Sequence, residues 1–253
     1  MKPQATIDQL QYLFTFPFKD EKRGTKFLIA FLLYFGSFII PVIPWVFFLG
    51  YIAKIIGNTI KERELSLPEW DDWGDLAIKG LKVIGAALIA EGIPLLFFGY
   101  GLLSIGVPAA IAPENNDVLF ASLIFMGVSG SAIFLSIGIL LTLTINFFVP
   151  PAISHMIAED DFSAAFHISD WWKILKANLG GYIITYIILI GLVGILGFVY
   201  QLLVVSIILC WLIPFIPSAF AVYAGFVGAA LFGQAYRVGK ENLELEASLD
   251  TEA

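Results

Sequence analysis

FLIAFLLYFGSFIIPVIPWVFFLGYIAKIIGNTIK, residues 27–61, decides how the whole chain is read. Its apolar part, 27–49, is long enough for one membrane crossing, since a spanning helix needs about 20 apolar residues. Read as one span, it leaves Lys19, Lys22, Arg23 and Lys26 on one side. Lys54, Lys61, Arg63, Lys79 and Lys82 then fall on the other. That split opposes the tendency of Lys and Arg to collect on one side of a membrane. PVIP at 41–44 offers a second reading, because proline removes a helical donor and clashes with the preceding turn. A hairpin that enters over 26–40 and returns over 44–60 keeps all those basic residues on one face. Its weakness is length: the arm 26–40 rises about 22 Å, short of the roughly 30 Å hydrocarbon core.

The same logic extends along the chain. Further apolar runs occupy about 83–107, 118–149, 182–209 and 211–236. The chain is 59% hydrophobic and only 14% charged, against about one quarter charged for a soluble domain. With the hairpin in place, all 14 Lys and Arg fall on one face, from Lys2 to Lys26, Lys54 to Lys82, Lys173 with Lys176, and Arg237 with Lys240. The opposite loops, about 41–44, 108–117 and 209–217, hold none. The sequence therefore predicts an all-α, polytopic transmembrane helix bundle. Its six membrane helices are placed at about 26–40, 44–60, 83–107, 118–149, 182–209 and 214–237. They form one domain over 1–240, with both termini cytoplasmic and an acidic flexible tail at 241–253. Cytoplasmic-side interfacial helices are expected at 7–18, 67–82 and 161–182. The N-terminus lacks the basic, apolar, small-residue succession of a cleaved signal peptide. The formal net charge of −7 says little, because orientation follows Lys and Arg near span ends.

Several smaller patterns fit this reading. Trp70, Trp73, Trp171 and Trp172 fall at the cytoplasmic interface as candidate anchors, and Trp45 and Trp211 at the far side. PVIP at 41–44 matches PFIP at 214–217, each between apolar arms, which suggests a weak internal repeat. Ala221, Gly225, Ala229 and Gly233 recur every four residues, and Gly191, Gly194 and Gly197 line the preceding run. Such stripes let helices approach closely, within one chain or across a homo-oligomer face.

Candidate chemistry is sparse. Glu91 in AALIAEGIPLL lies about 13 Å along a helix from Lys82, near the bilayer midplane. An intramembrane carboxyl is a functional candidate by default, and Pro94 frees a carbonyl close by. Lys54, inward of Lys61, is its expected partner, and the readings are a proton or cation relay, a structural ion pair or hydrogen-bonded carboxyl, or a helix register that brings Glu91 to the interface. Asn146, with Thr142 and Thr144 nearby, is expected to hydrogen-bond between helices. Glu69, Asp71, Asp72 and Asp75 form an acidic block at a helix start and a candidate docking patch for a basic partner. His155 and Glu159 stand at i and i+4, but no H-E-x-x-H or paired Cys accompanies them, so neither metal nor cofactor is expected. No phosphate loop or G-x-S-x-G occurs, and basic residues are too dispersed for nucleic acid.

Two blocks carry a resemblance. LPEWDDW at 67–73 and EDDFSAAF at 159–166 resemble those of a prokaryotic multi-pass membrane protein family of unknown function, over roughly residues 10–240. The resemblance implies a topology and no activity. The expected function is a non-enzymatic accessory or scaffold subunit of a membrane complex, bound to lipid and to a membrane-protein partner or its own copies. The alternatives are a small transporter or channel using Glu91, and a lipid-modifying membrane enzyme.

Overall fold

The computed structural model describes residues 7–61, 65–111 and 116–252. Lys2, Arg63 and residues 112–115 of a far-side loop lie outside them. Every regular element among the described residues is helical. In order they are α1 (Ile7–Lys19), α2 (Arg23–Gly36), α3 (Ile43–Lys61), α4 (Trp73–Ala90) and α5 (Gly92–Ile111). Then follow α6 (Asp117–Glu159), α7 (Ile168–Ala177), α8 (Leu179–Val205) and α9 (Ile216–Glu252). Short 3₁₀ turns occupy Phe162–Phe166 and Cys210–Leu212.

Among the described residues, four helices are long and apolar enough to cross a membrane: α3, α6, α8 and the stretch Cys210–Leu249, which takes in most of α9. A fifth crossing exists if α4 and Gly92–Pro108, whose axes diverge by 59°, count as one broken span. The chain is thus a helical protein built for a bilayer. The sequence-derived six counts α2 as well. At 14 residues, α2 rises about 21 Å and does not meet the length of a crossing.

The boundaries shift for identifiable reasons. The first arm, expected over 26–40, ends at Gly36, because residues 37–40 form turns and Val42 adopts a left-handed φ of 82°. The interfacial stretch expected at 67–82 is extended up to Asp72, and α4 starts at Trp73. The segment 161–182 divides into the 3₁₀ turn, α7 and the opening of α8. Residues 241–252 continue α9, where Asn242 is buried and donates to the Ala177 carbonyl at 2.9 Å.

The chain divides into two compact units, Met1–Ile84 with Pro151–Ala253, and Gly85–Pro150. In the first, α9 is the central wall. Val222, Phe226 and Ala230 of α9 join Phe48, Tyr51 and Ile55 of α3, Phe16 of α1 and Leu76 of α4 in one buried cluster. The four-residue stripe faces α3: a Cβ at Gly225 would stand 3.3 Å from Phe48, and one at Gly233 2.7 Å from Thr59. Ala229 of that stripe is buried, while a Cβ at Gly191, Gly194 or Gly197 meets nothing within 4 Å. The second unit pairs α5 with residues of α6, and a Cβ at Gly127 would lie 2.5 Å from the Ser104 carbonyl oxygen. Its outer apolar side chains, such as Leu102, Phe125 and Leu143, are exposed, as lipid-facing positions are.

The tightest crossing is between α3 and α4. A Cβ on Gly50 would fall 1.9 Å from the Leu76 carbonyl oxygen, and one on Gly80 1.9 Å from that of Val46. Both obstacles are backbone, so neither can rotate away. Gly50→Ala and Gly80→Ala should each lower stability by about 1–3 kcal/mol, seen as a reduced thermal unfolding midpoint in detergent. Gly194→Ala is the control: it crowds nothing and removes a poor helix former, so its midpoint should hold or rise.

Candidate functional site

The sequence separates Glu91 from Asn146 and Thr142 by about fifty residues; the fold joins them. Glu91 occupies the break between α4 and α5. The bend follows from Pro94, which has no N–H to return to the Ala90 carbonyl. Glu91 keeps its own backbone bonds, from its amide to the Ala87 carbonyl and from the Leu95 amide to its carbonyl, both at 2.9 Å. Its carboxylate receives the Asn146 side-chain amide at 2.7 Å and the Thr142 hydroxyl at 3.3 Å, both from α6. Asn146 also donates to the Thr142 carbonyl at 2.9 Å. The donors are neutral, and among the described residues Glu91 forms no ion pair. The cluster thus presents the Asn146 amide nitrogen and the Thr142 hydroxyl to a carboxylate at the break between α4 and α5.

Lys54, the expected partner of Glu91, belongs to the other unit. There its ammonium lies 3.2 Å from Asp71 and donates to the Glu69 carbonyl at 3.4 Å.

The acidic block is an internal clasp. Lys26, only 4% exposed, reaches Asp20 at 2.8 Å, the Leu67 carbonyl at 2.6 Å and Glu69 at 3.0 Å. Tyr51 donates to the Pro68 carbonyl at 2.8 Å. Trp70 lies flat on Tyr51, centroids 3.9 Å apart, and donates to the Lys26 carbonyl. Asp72 accepts the Asp75 amide at 2.9 Å, capping α4, and Asp75 pairs with Lys79 at 2.6 Å. The four acids proposed as a docking patch thus each have a partner within the chain.

The tryptophans divide. Trp73 and Trp172 are partly exposed, whereas Trp171 is buried and donates to the Ala165 carbonyl at 3.1 Å. The second motif is also structural. Asp160 has a left-handed φ of 51° and binds Lys82 at 3.2 Å. Asp161 caps the 3₁₀ turn through the Ser163 amide and hydroxyl. His155 is buried against Tyr236, ring nitrogen to hydroxyl 2.7 Å, and Glu159 faces Lys240 at 3.7 Å.

Charge sets the acid response of the clasp. Burial pushes the Asp20 carboxyl up, but hydrogen bonds from Lys26 and the Lys22 amide and both lysine charges outweigh it, so the net shift is downward. The Lys26 hydrogen bond lowers Glu69, and the Lys54 hydrogen bond leads the lowering of Asp71. The unfolded chain then binds protons at higher pH than the folded one, so acid favours unfolding. The contribution of the clasp to stability should be flat above about pH 5 and fall as pH drops through and below the ordinary carboxylate range near 4. Lys26→Met should cost about 3 kcal/mol at neutral pH by stranding the buried Asp20. It should also flatten that acid slope, read as unfolding midpoint against pH.

The sequence profile of the family described as "Protein of unknown function (DUF4013)" matches residues 33–205. Both motif blocks lie inside that match, which is narrower than the 10–240 of the resemblance. No curated protein and no solved structure matches the chain. With more than half of its length matched, the chain belongs to the DUF4013 family.

Proposed function

We propose that this DUF4013 member is a non-enzymatic integral membrane protein that moves a proton or small cation, with Glu91 as the carrying group. The observation behind this reading is a carboxylate at the break of a candidate span that, among the described residues, is held by neutral donors from α6. Broken spans that present polar groups at mid-membrane depth recur in transporters. The topology that suits it has α2 and α3 as a hairpin dipping from the cytoplasmic face of a prokaryotic membrane. Crossings by α4–α5, α6, α8 and α9 follow, and both termini are cytoplasmic. Lys26 at the start of α2 and Lys54 in α3 gripping one segment supports the hairpin. So does the one-sided placement of Lys and Arg.

An accessory subunit without transport is the competing reading. It drew on the acidic patch and the small-residue stripe, and those residues bind the chain's own lysines and α3.

The test is flux in vesicles that hold the purified protein, under an imposed pH or monovalent cation gradient, followed by an internal indicator dye. Wild type should leak faster than protein-free vesicles. Glu91→Gln should lose that excess, and Asn146→Leu should reduce it several-fold through one lost hydrogen bond to a charged group. Wild-type vesicles no faster than empty ones, or Glu91→Gln at full rate, would overturn the assignment.

A further inference from the structure

Far along the chain from Glu91, a cavity of about 490 Å³ lies between α1, the end of α7, the start of α8 and α9. Its wall is divided. Leu10, Leu13, Ile184 and Leu231 make one part apolar. Lys176, Gln234, Asn242 and the turn 178–181 make the other polar. α8 begins in that turn without a capping side chain, since the Asn178 side-chain amide donates to the Ala235 carbonyl at 2.9 Å. The amides of Leu179, Gly180 and Gly181 thus open a 27-residue helix. Such amides, with the helix dipole behind them, attract anions. Lys176 adds a full positive charge from the last turn of α7.

A second observation is independent of the helix end. Asn242 lines the same cavity and is 5% exposed. Its Nδ2 is committed to the Ala177 carbonyl, and its buried Oδ1 has no hydrogen-bond partner. An orphaned acceptor is costly, so the wall asks for a hydrogen-bond donor beside the anion.

We propose that this cavity binds the headgroup of a membrane phospholipid whose phosphate has an ammonium or hydroxyl donor next to it. The phosphate sits against the opening amides of α8 and Lys176. The neighbouring donor meets Asn242 Oδ1, and an acyl chain leaves along Leu10, Leu13 and Ile184. The apolar half of the wall selects a lipid over a free anion. So does the position, because an apolar helix of this length starts at headgroup depth.

The test uses the full chain in neutral detergent, titrated with short-chain phosphatidylethanolamine, phosphatidylglycerol, phosphatidylcholine or inorganic phosphate, with bound lipid counted by native mass spectrometry. Gly180→Asp and Lys176→Gln are the variants. A Cβ at Gly180 meets nothing within 4 Å, and an acid suits a helix start, so Gly180→Asp opposes the phosphate without harming the fold. The expected result is tighter binding of phosphatidylethanolamine or phosphatidylglycerol than of phosphatidylcholine, which lacks the donor. Each variant should weaken it roughly tenfold. Equal binding by all three proteins would overturn the site, as would phosphatidylcholine binding as tightly as the others. Inorganic phosphate competing as well as lipid would make it a free-anion site and overturn the lipid assignment.

Discussion

The grip of Lys26 on residues 67–69 is the interaction on which the first unit depends. An extended segment between two membrane-directed helices exposes carbonyls that neither helix can satisfy. Here they are met one after another: Leu67 by Lys26, Pro68 by Tyr51 and Glu69 by Lys54. The donors come from α2 and α3, so satisfying one backbone segment also aligns two helices. Burying an ammonium this deeply is tolerable only because two carboxylates and a carbonyl surround it. α4 is then launched with its N-terminus capped by Asp72, at a place where Gly50 and Gly80 let it lie backbone-to-backbone on α3. The clasp and the glycine crossing are successive steps of one construction, the first fixing where α4 starts and the second how closely it runs.

α9 extends that construction through the rest of the unit. Its small residues admit α3, its aromatic residues fill the core, and its distal end reaches α7 through Asn242. The segment that looks like a polar tail is tied to the rest of the unit at its start, by one buried asparagine bonded to the Ala177 carbonyl, and residues 244–249 beyond it are exposed.

The sequence exposed the coarse architecture because hydropathy and helix length are one-dimensional properties. The apolar runs at 118–149, 182–209 and 211–236 lie within α6, the α8 region and Cys210–Leu249. The return arm 44–60 is nearly α3. Ends were less legible, since they depend on turns and caps: Val42 and Ser37 shorten α2, and α6 runs on past Pro150 and Pro151 to Glu159. The site was legible in part. Glu91 stood out because a carboxylate in an apolar run is rare. Its partners did not, because opposite charge suggested Lys54, and sequence spacing has no measure of which helix faces which. Asn146 and Thr142 carried a signal of their own, polar residues one turn apart in an apolar run, but nothing in the sequence aims them at Glu91.

Among the described residues the acids differ in their partners: many face a lysine, while others, Glu91 and the turn-capping Asp161 among them, take neutral amide and hydroxyl donors. Asp20, Glu69, Asp71, Asp75, Glu159 and Asp160 each lie within 4 Å of a lysine ammonium. Most of these pairs join separate segments, while Asp75 and Lys79 pair within α4. Glu91 has amide and hydroxyl partners instead. Neutral donors orient a carboxylate but bring no opposite charge to it. If stability alone had shaped this position, an apolar residue would serve better, since hydrogen bonds inside a membrane average well under 1 kcal/mol against about 3 kcal/mol for burying the charge. That imbalance is the physical reason to look for function at the break between α4 and α5 rather than in the more conspicuous acidic block.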